Sequence, residues 1–317
     1  MGRRDVFQMF LLSAVWGASF ILIEISGRSF PPTWVALLRL TFGAAFLWSV
    51  LKLKGRTLPP RRLLLPLLAV ALFNNAIPFT FFALGERTVP SSIAAVLNAT
   101  TPIWALLLTL AVQSAKPSRF TIAGVLLGFT GVLIVVFSHG QDSHQYGDTA
   151  AFYRGVLYIA LASLGYAIAT VVAKIKLKGL DPIGLATTQL SLAWIMMLPL
   201  AVFGAHPAAI QRSSIFAIAL LGVAGSGVAY LLYYDLLTRI PSTHVVAVTY
   251  LLPLWGLFWG YIAHEPILWT AYAGVAIVIC GLILLNLTSL DQVRAFFSIS
   301  PKKDAEAKPE VCDAEMT

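Results

Sequence analysis

The stretch VPSSIAAVLNATTPIWALLLTLAV, residues 89–112, is apolar enough to lie in a membrane, yet it carries Asn98 and the helix-breaking Pro102 at its middle. Proline has no N–H, so the carbonyl four residues earlier, that of Asn98, loses its helical partner. In a bilayer such a carbonyl must face protein, water or a ligand, because an unsatisfied one is costly. The stretch therefore predicts a membrane helix that is broken near its centre.

Similar apolar segments recur along the whole chain. Its 317 residues are 58% hydrophobic and only 11% charged, whereas roughly a quarter of the residues of a soluble domain are charged. Many of the segments have about 20 residues, the length that crosses the hydrocarbon core of a bilayer. We predict an all-α integral membrane protein with ten transmembrane helices, at 6–26, 32–53, 63–85, 89–112, 120–138, 155–174, 182–203, 214–237, 243–263 and 268–288.

The basic residues are distributed unequally between the two sides of these spans. Of the 22 lysines and arginines, seventeen lie on the side of the N-terminus, four on the other side and Arg39 within a span. The positive-inside rule then predicts that both termini are cytoplasmic. The net charge of +8 is explained by this topology and does not indicate nucleic-acid binding, which needs a clustered basic face. Residues 289–317 are polar and aperiodic, and we predict a disordered cytoplasmic tail there.

The sequence repeats itself after a shift of about 150 residues. The matching pairs are Pro32 and Pro182, Arg39 and Gln189, Pro90 and Pro241, Pro102 and Pro253, Gly124 and Gly274, and Gly131 and Gly281. We predict two domains, 5–138 and 155–288, with five spans each. Five is odd, so the second copy enters the membrane from the opposite side. Inverted repeats are typical of secondary transporters, although a channel could also have arisen by such a duplication.

Several motifs resemble those of the EamA-type transporters of the drug/metabolite transporter superfamily. They are AVWGASFILIE (14–24), PTWVALLR (32–39), NNAIPFTFFALGERTVPSSIAAVLNATTPIWALLL (74–108) and YLLPLWGLFWGYIAHEPI (250–267). The resemblance implies a bacterial inner-membrane exporter of amino acids or related metabolites, with a cavity bounded by spans 1–4 and 6–9. Two positions depart from the family pattern. Lys116 stands where an acidic residue is frequent, and Glu24 stands where a basic one is frequent, which leaves the coupling ion open.

Three prolines inside spans mark candidate hinges and a candidate substrate cavity. Pro78, Pro102 and Pro253 free the carbonyls of Asn74, Asn98 and Thr249. Counting from the span ends places these carbonyls near the membrane midplane, where transporters with broken helices bind their substrates. We therefore expect all three freed positions to line the cavity. The alternative is that the asparagines cap their own kinks and hold neighbouring helices together.

Arg39 is the leading candidate for a substrate-binding charge. An arginine inside a span needs a partner or a function, and its planar guanidinium suits a substrate carboxylate. The alternatives are a structural ion pair with Glu24 and snorkelling toward the membrane surface. Gln189, which holds the same position in the second copy, is a further candidate. Asp235 is compatible with two roles, a proton-coupling carboxylate or an interfacial anchor.

Four aromatic residues lie too deep in their spans to belong to the interfacial belts. They are Trp16, Tyr166, Tyr230 and Tyr250. A buried hydroxyl or indole N–H needs a polar partner, which an amphipathic cavity wall provides. The alternative is ordinary helix packing. We also expect close helix packing at Gly124-x3-Gly128 and Gly256-x3-Gly260.

No pattern in the sequence indicates catalysis. The five histidines have no metal-binding spacing, and no nucleophile motif or phosphate-binding loop is present. We expect no cofactor, no metal, no enzyme activity and no nucleic-acid partner. The predicted partners are a small-molecule substrate and the lipid bilayer, with proton coupling left open. The predicted function is secondary active export by alternating access, and the alternative is a facilitative channel or uniporter.

Overall fold

The computed structural model describes residues 2–113, 117–141, 148–207, 209–240 and 245–285. Within these ranges the chain is helical and forms no strand. The predicted tail, Lys116 and Pro241 lie outside the described residues.

Ten apolar helices make up the described structure, and they confirm the predicted all-α, ten-span class. They are α1 (Arg3–Gly27), α2 (Pro32–Leu53), α3 (Leu64–Ala71 and Ile77–Gly85), α4 (Ser91–Asn98 and Thr101–Gln113), α5 (Arg119–Gln141), α6 (Thr149–Lys176), α7 (Pro182–Val202), α8 (Arg212–Gly222 and Ala229–Arg239), α9 (Leu252–Ile262) and α10 (Trp269–Leu285). Eight spans are long and apolar enough to cross a membrane, and two shorter apolar helices, Val248–Ile262 and Trp269–Leu285, complete the set.

Contacts between loops show that successive helices cross the bundle in alternating directions. At the end where α1 begins, which we call the N-terminal face, Arg56 after α2 lies 3.5 Å from Asp181 after α6. At the other end, the opposite face, the Gln211 N–H before α8 donates to the Ser29 hydroxyl after α1 at 3.0 Å. The loops after α2 and α6 thus share one face, and the loops after α1 and α7 share the other, as a bundle of membrane-crossing helices requires.

Glycines lie at the closest helix contacts, and the sequence predicts such close packing. A Cβ atom added to Gly131 of α5 would lie 2.6 Å from the carbonyl oxygen of Gly274 in α10. A Cβ added to Gly256 of α9 would lie 2.3 Å from the Cβ of Ala95 in α4. Small residues at such positions let helix backbones touch. The α5–α10 pair is held together in this way.

Two helices contain a π-helical turn in addition to their α-helical segments. The turns are Leu72–Ala76 in α3 and Val223–Val228 in α8. They occupy matching places in the two halves, at the repeat shift of about 150 residues. In α3 the Ile77 N–H donates to the carbonyl of Leu72, five residues earlier. The predicted kink at Pro78 is thus accommodated as a widened turn, and such turns are frequent at functional sites.

Each of the three predicted proline breaks falls at the start of a helical segment. Pro78, Pro102 and Pro253 are the second residues of the segments that begin at Ile77, Thr101 and Leu252. In α4 the first segment ends at Asn98, and in α9 a 3₁₀ turn, Val246–Tyr250, precedes the helix. Proline is well tolerated in the first turn, where its missing N–H has no intrahelical partner to lose. The broken helix that residues 89–112 predict is present.

Candidate functional site

A polar cluster lies between α2, α3, α7 and α8, away from the ends of these helices. Arg39 of α2 is only 6% exposed. Its Nε donates to the Ser226 hydroxyl at 3.0 Å, and its guanidinium carbon lies 3.7 Å from the centre of the Phe79 ring. Ser226 belongs to the π turn of α8. The buried charge of Arg39 is therefore held by the first half of the chain through Phe79 and by the second half through Ser226.

Gln189 of α7 makes the corresponding contact in the other direction. The Asn74 amide donates to the Gln189 carbonyl oxygen at 3.4 Å. Asn74 and Asn75 also donate to the Tyr230 hydroxyl oxygen, at 3.0 Å and 3.1 Å. Both asparagines belong to the π turn of α3. Each half of the chain thus sends a polar side chain into the π turn of the other half.

These residues form what we call the central cluster: Arg39, Asn74, Asn75, Gln189, Ser226 and Tyr230. One of its buried atoms, Asn75 Oδ1, has no hydrogen-bond partner in the described part of the chain. A buried polar atom without a partner costs about 1–3 kcal/mol. Among the described residues, the Arg39 side chain makes its hydrogen bond through Nε, which leaves its two terminal nitrogens for a ligand. The cluster can therefore offer donors and an acceptor to a polar molecule.

Aromatic rings border the central cluster. Tyr166 of α6 stacks on Phe82 with ring centroids 6.0 Å apart, and it packs against both large hydrophobic cores. Tyr230 stacks on Tyr234 at 6.0 Å. A polar centre within an aromatic wall suits a ligand that has both a charged group and an apolar body.

A second polar region, the carboxylate chamber, opens at the opposite face. It is a cavity of about 370 Å³ whose lining includes Glu24, Glu86, Glu265, Arg28 and Arg87. Glu86 directly follows α3 and is 8% exposed. Its two carboxyl oxygens are buried and have no hydrogen-bond partner in the described structure. Burial raises the pKa of Glu86 well above its ordinary value; the charges of Glu24 and Glu265 add to this effect, and Arg39 opposes it.

The sequence analysis did not single out Glu86. The sequence did contain a signal for it, because an acidic residue lies at or just after the end of an apolar span at three places, Glu24, Glu86 and Glu265. Each of them by itself resembles an ordinary interfacial charge. Only the packing of the helices brings the three to one cavity and buries the middle one.

The sequence model of the EamA-like transporter family matches residues 4–137 and 153–287. The chain belongs to the EamA-like transporter family. It is similar to an uncharacterized transporter of Archaeoglobus fulgidus, with 27% identity over 280 residues, covering 86% of this chain and 94% of that protein. It is also similar to the uncharacterized inner membrane transporter YedA of Escherichia coli, with 24% identity over 286 residues, covering 88% and 89% of the two chains.

A solved crystal structure shares the fold of this EamA-like transporter. The TM-score is 0.65 at 16% sequence identity, and the match covers 94% of this chain and 100% of the other. The identity is low, so this likeness shows the fold alone. The family and the fold together make the protein a multi-pass membrane transporter.

Four of the substrate-binding residues that the sequence predicts meet in the central cluster of the transporter: Arg39, Asn74, Gln189 and Tyr230. Tyr166 lies at its border, where its ring packs on Phe82. Their joint roles in substrate binding stay predictions. Their meeting depends on the helix packing, since they come from five different spans.

The other predicted residues make their described contacts elsewhere. Trp16 packs on Tyr233, with ring centroids 5.6 Å apart, and Asn98 accepts a 3.4 Å hydrogen bond from the Thr101 hydroxyl at the α4 break. Thr249 and Tyr250 lie in the 3₁₀ turn before Pro253, and Tyr250 packs against the largest hydrophobic core. The substrate contacts predicted for these four residues also stay predictions.

The two structural alternatives for Arg39 are wrong. Glu24 pairs with Arg28, one helical turn later on α1, at 3.1 Å. This pair forms because residues four apart share a helix face, and Arg39 instead contacts Ser226 and Phe79. Snorkelling is contradicted by the burial of the side chain.

The contacts of Asp235 favour the anchor over the proton-coupling role. Its carboxylate lies 2.7 Å from Arg239 and accepts a 2.9 Å hydrogen bond from the Gln8 amide. Asp5 also pairs with Arg239. This network ties α1 to α8 at the N-terminal face.

Proposed function

We propose that this transporter is a secondary active exporter of small amphipathic metabolites that carry a carboxylate, amino acids among them. The observation that supports the proposal is the burial of Arg39 in the central cluster, where the Asn75 oxygen has no partner among the described residues. A guanidinium can bind a carboxylate through two parallel hydrogen bonds. Its terminal nitrogens are the donors for this contact, because Nε already binds Ser226.

The rest of the central cluster positions the substrate around that carboxylate. The Gln189 amide N–H can donate to a substrate oxygen, and the free Asn75 oxygen can accept from an N–H or O–H group. The rings of Phe79, Tyr166 and Tyr230 take the apolar part. A substrate that forms hydrogen bonds with these atoms provides partners that they lack in the structure.

The proposal of alternating access is supported by the two reciprocal junctions, Arg39 with the α8 turn and Gln189 with the α3 turn. Each junction joins the two inverted halves of the chain. When the halves rock against each other, the contacts of one junction open while those of the other close, and the substrate between them is exposed to each side in turn. Pro78, Pro102 and Pro253 act as the hinges, because the helices are already interrupted next to them.

The N-terminal face is cytoplasmic, and the protein lies in a bacterial inner membrane. Support comes from the excess of lysine and arginine on that face. The name of the Escherichia coli relative, an inner membrane transporter, agrees with this location for that protein. The opposite face, with the carboxylate chamber, is then extracytoplasmic.

Transport by the purified protein in proteoliposomes tests the proposal. Uptake of a panel of radiolabelled amino acids is measured with and without a pH gradient, together with counterflow from liposomes preloaded with the unlabelled compound. Saturable uptake and counterflow are expected for at least one carboxylate-bearing compound. Linear, unsaturable flux without counterflow would indicate a channel and contradict the proposal.

A further inference from the structure

The three acids of the carboxylate chamber are not equivalent. Glu24 has an ion-pair partner, Arg28, at 3.1 Å. Glu265 accepts hydrogen bonds from the backbone N–H groups of Ser91 and Ser92 at 3.0 Å and 3.1 Å, and from both serine hydroxyls. It therefore caps the first turn of α4, a favourable place for a negative charge. Each of these two carboxylates therefore has ion-pair or hydrogen-bond partners in the structure.

Glu86 has no such compensation. It is more deeply buried than its two neighbours, and both of its oxygens are without a partner in the described residues. An ionised carboxylate in this position would be buried and unpaired, which costs far more than keeping the group neutral. Burial without a partner therefore favours the protonated form of Glu86 in this conformation.

The surroundings of Glu86 allow that proton to leave. The charged and titratable groups that face it are Glu24 and Arg28 of α1, Arg39 of α2, Tyr166 of α6, Arg87 beside it in the chain and Glu265 after α9. Two of these, Glu24 and Glu265, disfavour the anion, and Arg39 favours it. The chamber connects the surroundings of Glu86 to the opposite face. Because both carboxyl oxygens are buried, the side chain or its neighbours must move before the proton passes to water in the chamber.

We propose that Glu86 is the proton-binding residue of this transporter, and that the ammonium group of a zwitterionic substrate competes with that proton. This inference rests on the proposed function. The substrate carboxylate binds Arg39, while its ammonium replaces the proton as the cation beside Glu86. The Glu86 O–H bond breaks, the proton passes to water in the chamber, and the carboxylate is left paired with the ammonium.

The competition sets the direction of coupling. Because Glu86 holds either one proton or one ammonium group, substrate and proton cross the membrane in opposite directions. A proton entering from the extracytoplasmic chamber then drives a zwitterion outward. The proposed substrate class is accordingly narrowed to carboxylates that also carry an amine.

Infrared difference spectroscopy on the purified full-length protein tests proton binding without any substrate. The native protein is expected to show the carbonyl band of a neutral, buried carboxyl group at neutral pH, and to lose it at alkaline pH. Glu86→Gln should lack this band, and Glu86→Asp should retain a shifted one. Asp235→Asn is the matched control, since it removes another span-end acid and should leave the band intact. A band that persists in Glu86→Gln would overturn the proposal.

The pH dependence of thermal stability provides a second measurement on the same samples. The raised pKa of Glu86 means that the native state binds this proton more tightly than the unfolded chain does. Stability from this source is complete at acidic pH and is lost as the pH rises toward the raised pKa. Glu86→Gln should reduce the fall of the melting temperature between mildly acidic and alkaline pH, whereas Asp235→Asn should not.

Substrate-dependent proton release tests the competition. Addition of a transported amino acid to weakly buffered native protein should release protons, and stimulation of transport by a pH gradient should be lost in Glu86→Gln. An undiminished gradient effect in Glu86→Gln would overturn this inference and leave the proposed function standing. If no compound of the panel were transported by the native protein, the proposed function and the competition would both fail. The infrared band would still decide whether Glu86 binds the proton.

Discussion

The two junctions of the central cluster have the same architecture and different chemistry. In one, Arg39 of α2 contacts Ser226 in the π turn of α8; in the other, Gln189 of α7 contacts Asn74 in the π turn of α3. The two contacting residues are equivalent in the repeat, yet one carries a charge and the other a neutral amide. The turns also differ, because Pro78 follows the α3 turn while the α8 turn contains Gly225 and Gly227.

This difference indicates that the helix scaffold and the side chains have separate roles. An inverted repeat supplies two related poses, so the scaffold must remain nearly symmetric. A substrate with one carboxylate needs only one guanidinium. A second buried charge at residue 189 would add desolvation cost without a ligand to compensate it. In the proposed mechanism, this asymmetry orients the substrate, while the shared π turns allow the exchange between the two poses.

Replacing Arg39 by glutamine, so that both junctions carry an amide, should have the largest effect on transport. Arg39→Gln places an amide at both positions and removes the charged hydrogen bonds to the substrate carboxylate. Such bonds contribute about 1.5–3 kcal/mol, so the apparent affinity in the proteoliposome assay should fall roughly ten- to a hundredfold. The exposed Arg62→Gln serves as the matched control, with native transport expected. Unchanged affinity in Arg39→Gln would show that the guanidinium does not bind substrate.

Weakening the uncharged junction, that of Gln189 with the α3 turn, should have a smaller effect on transport. Tyr230→Phe removes the oxygen that accepts from Asn74 and Asn75, and two amide groups lose a partner. We expect a loss of about 1 kcal/mol in stability, seen as a melting temperature lower by a few degrees, and slower transport. Tyr261→Phe alters a tyrosine that is 71% exposed and should change neither quantity. A fully native Tyr230→Phe would mean that the hydroxyl does not hold the α3 turn.

Removing the proline beside the α3 turn, so that this turn resembles the α8 turn, should have the smallest effect on stability. The α8 turn forms without a proline, which indicates that tertiary contacts maintain a π turn at this place. Pro78→Ala should therefore keep the native melting temperature, while transport slows by about twofold if Pro78 is a hinge. Pro199→Ala, at an exposed proline inside α7, is the control. Native transport in Pro78→Ala would contradict the hinge role, and a large loss of stability would contradict the role of tertiary contacts.

Much of this arrangement could be predicted from local sequence. Hydropathy marks the spans, proline marks the breaks in α4 and α9, and the matching positions of the two copies point to Arg39 and Gln189. The π turns could not be predicted, because an insertion of one residue into a helix leaves the apolar pattern almost unchanged. In α8 no proline marks the position of the π turn.

The partners of the charged residues were the least predictable feature. Glu24 and Arg39 lie on adjacent spans and suggest a pair, but Glu24 reaches Arg28 on its own helix. Asp235, near the end of its span, is compatible with proton coupling or with an anchor, and it lies beside Arg239 and Gln8. Glu86 suggests an interfacial charge, but the surrounding helices bury it. In each case the sequence specifies the charge, and its environment depends on residues more than a hundred positions away or on a competing neighbour.

The sequence by itself determined that the chain crosses the membrane ten times as two inverted copies, since length, hydropathy and charge asymmetry act locally against the bilayer. It also determined which residues were too polar to be left in lipid. Only the tertiary structure decided which of them meet, and which carboxyl has no partner among the described residues. The physical reason is that the cost of a buried polar group depends on what lies beside it. Helix packing brings Arg39 to Ser226 and leaves Glu86 without a partner in the part of the chain that the structure describes.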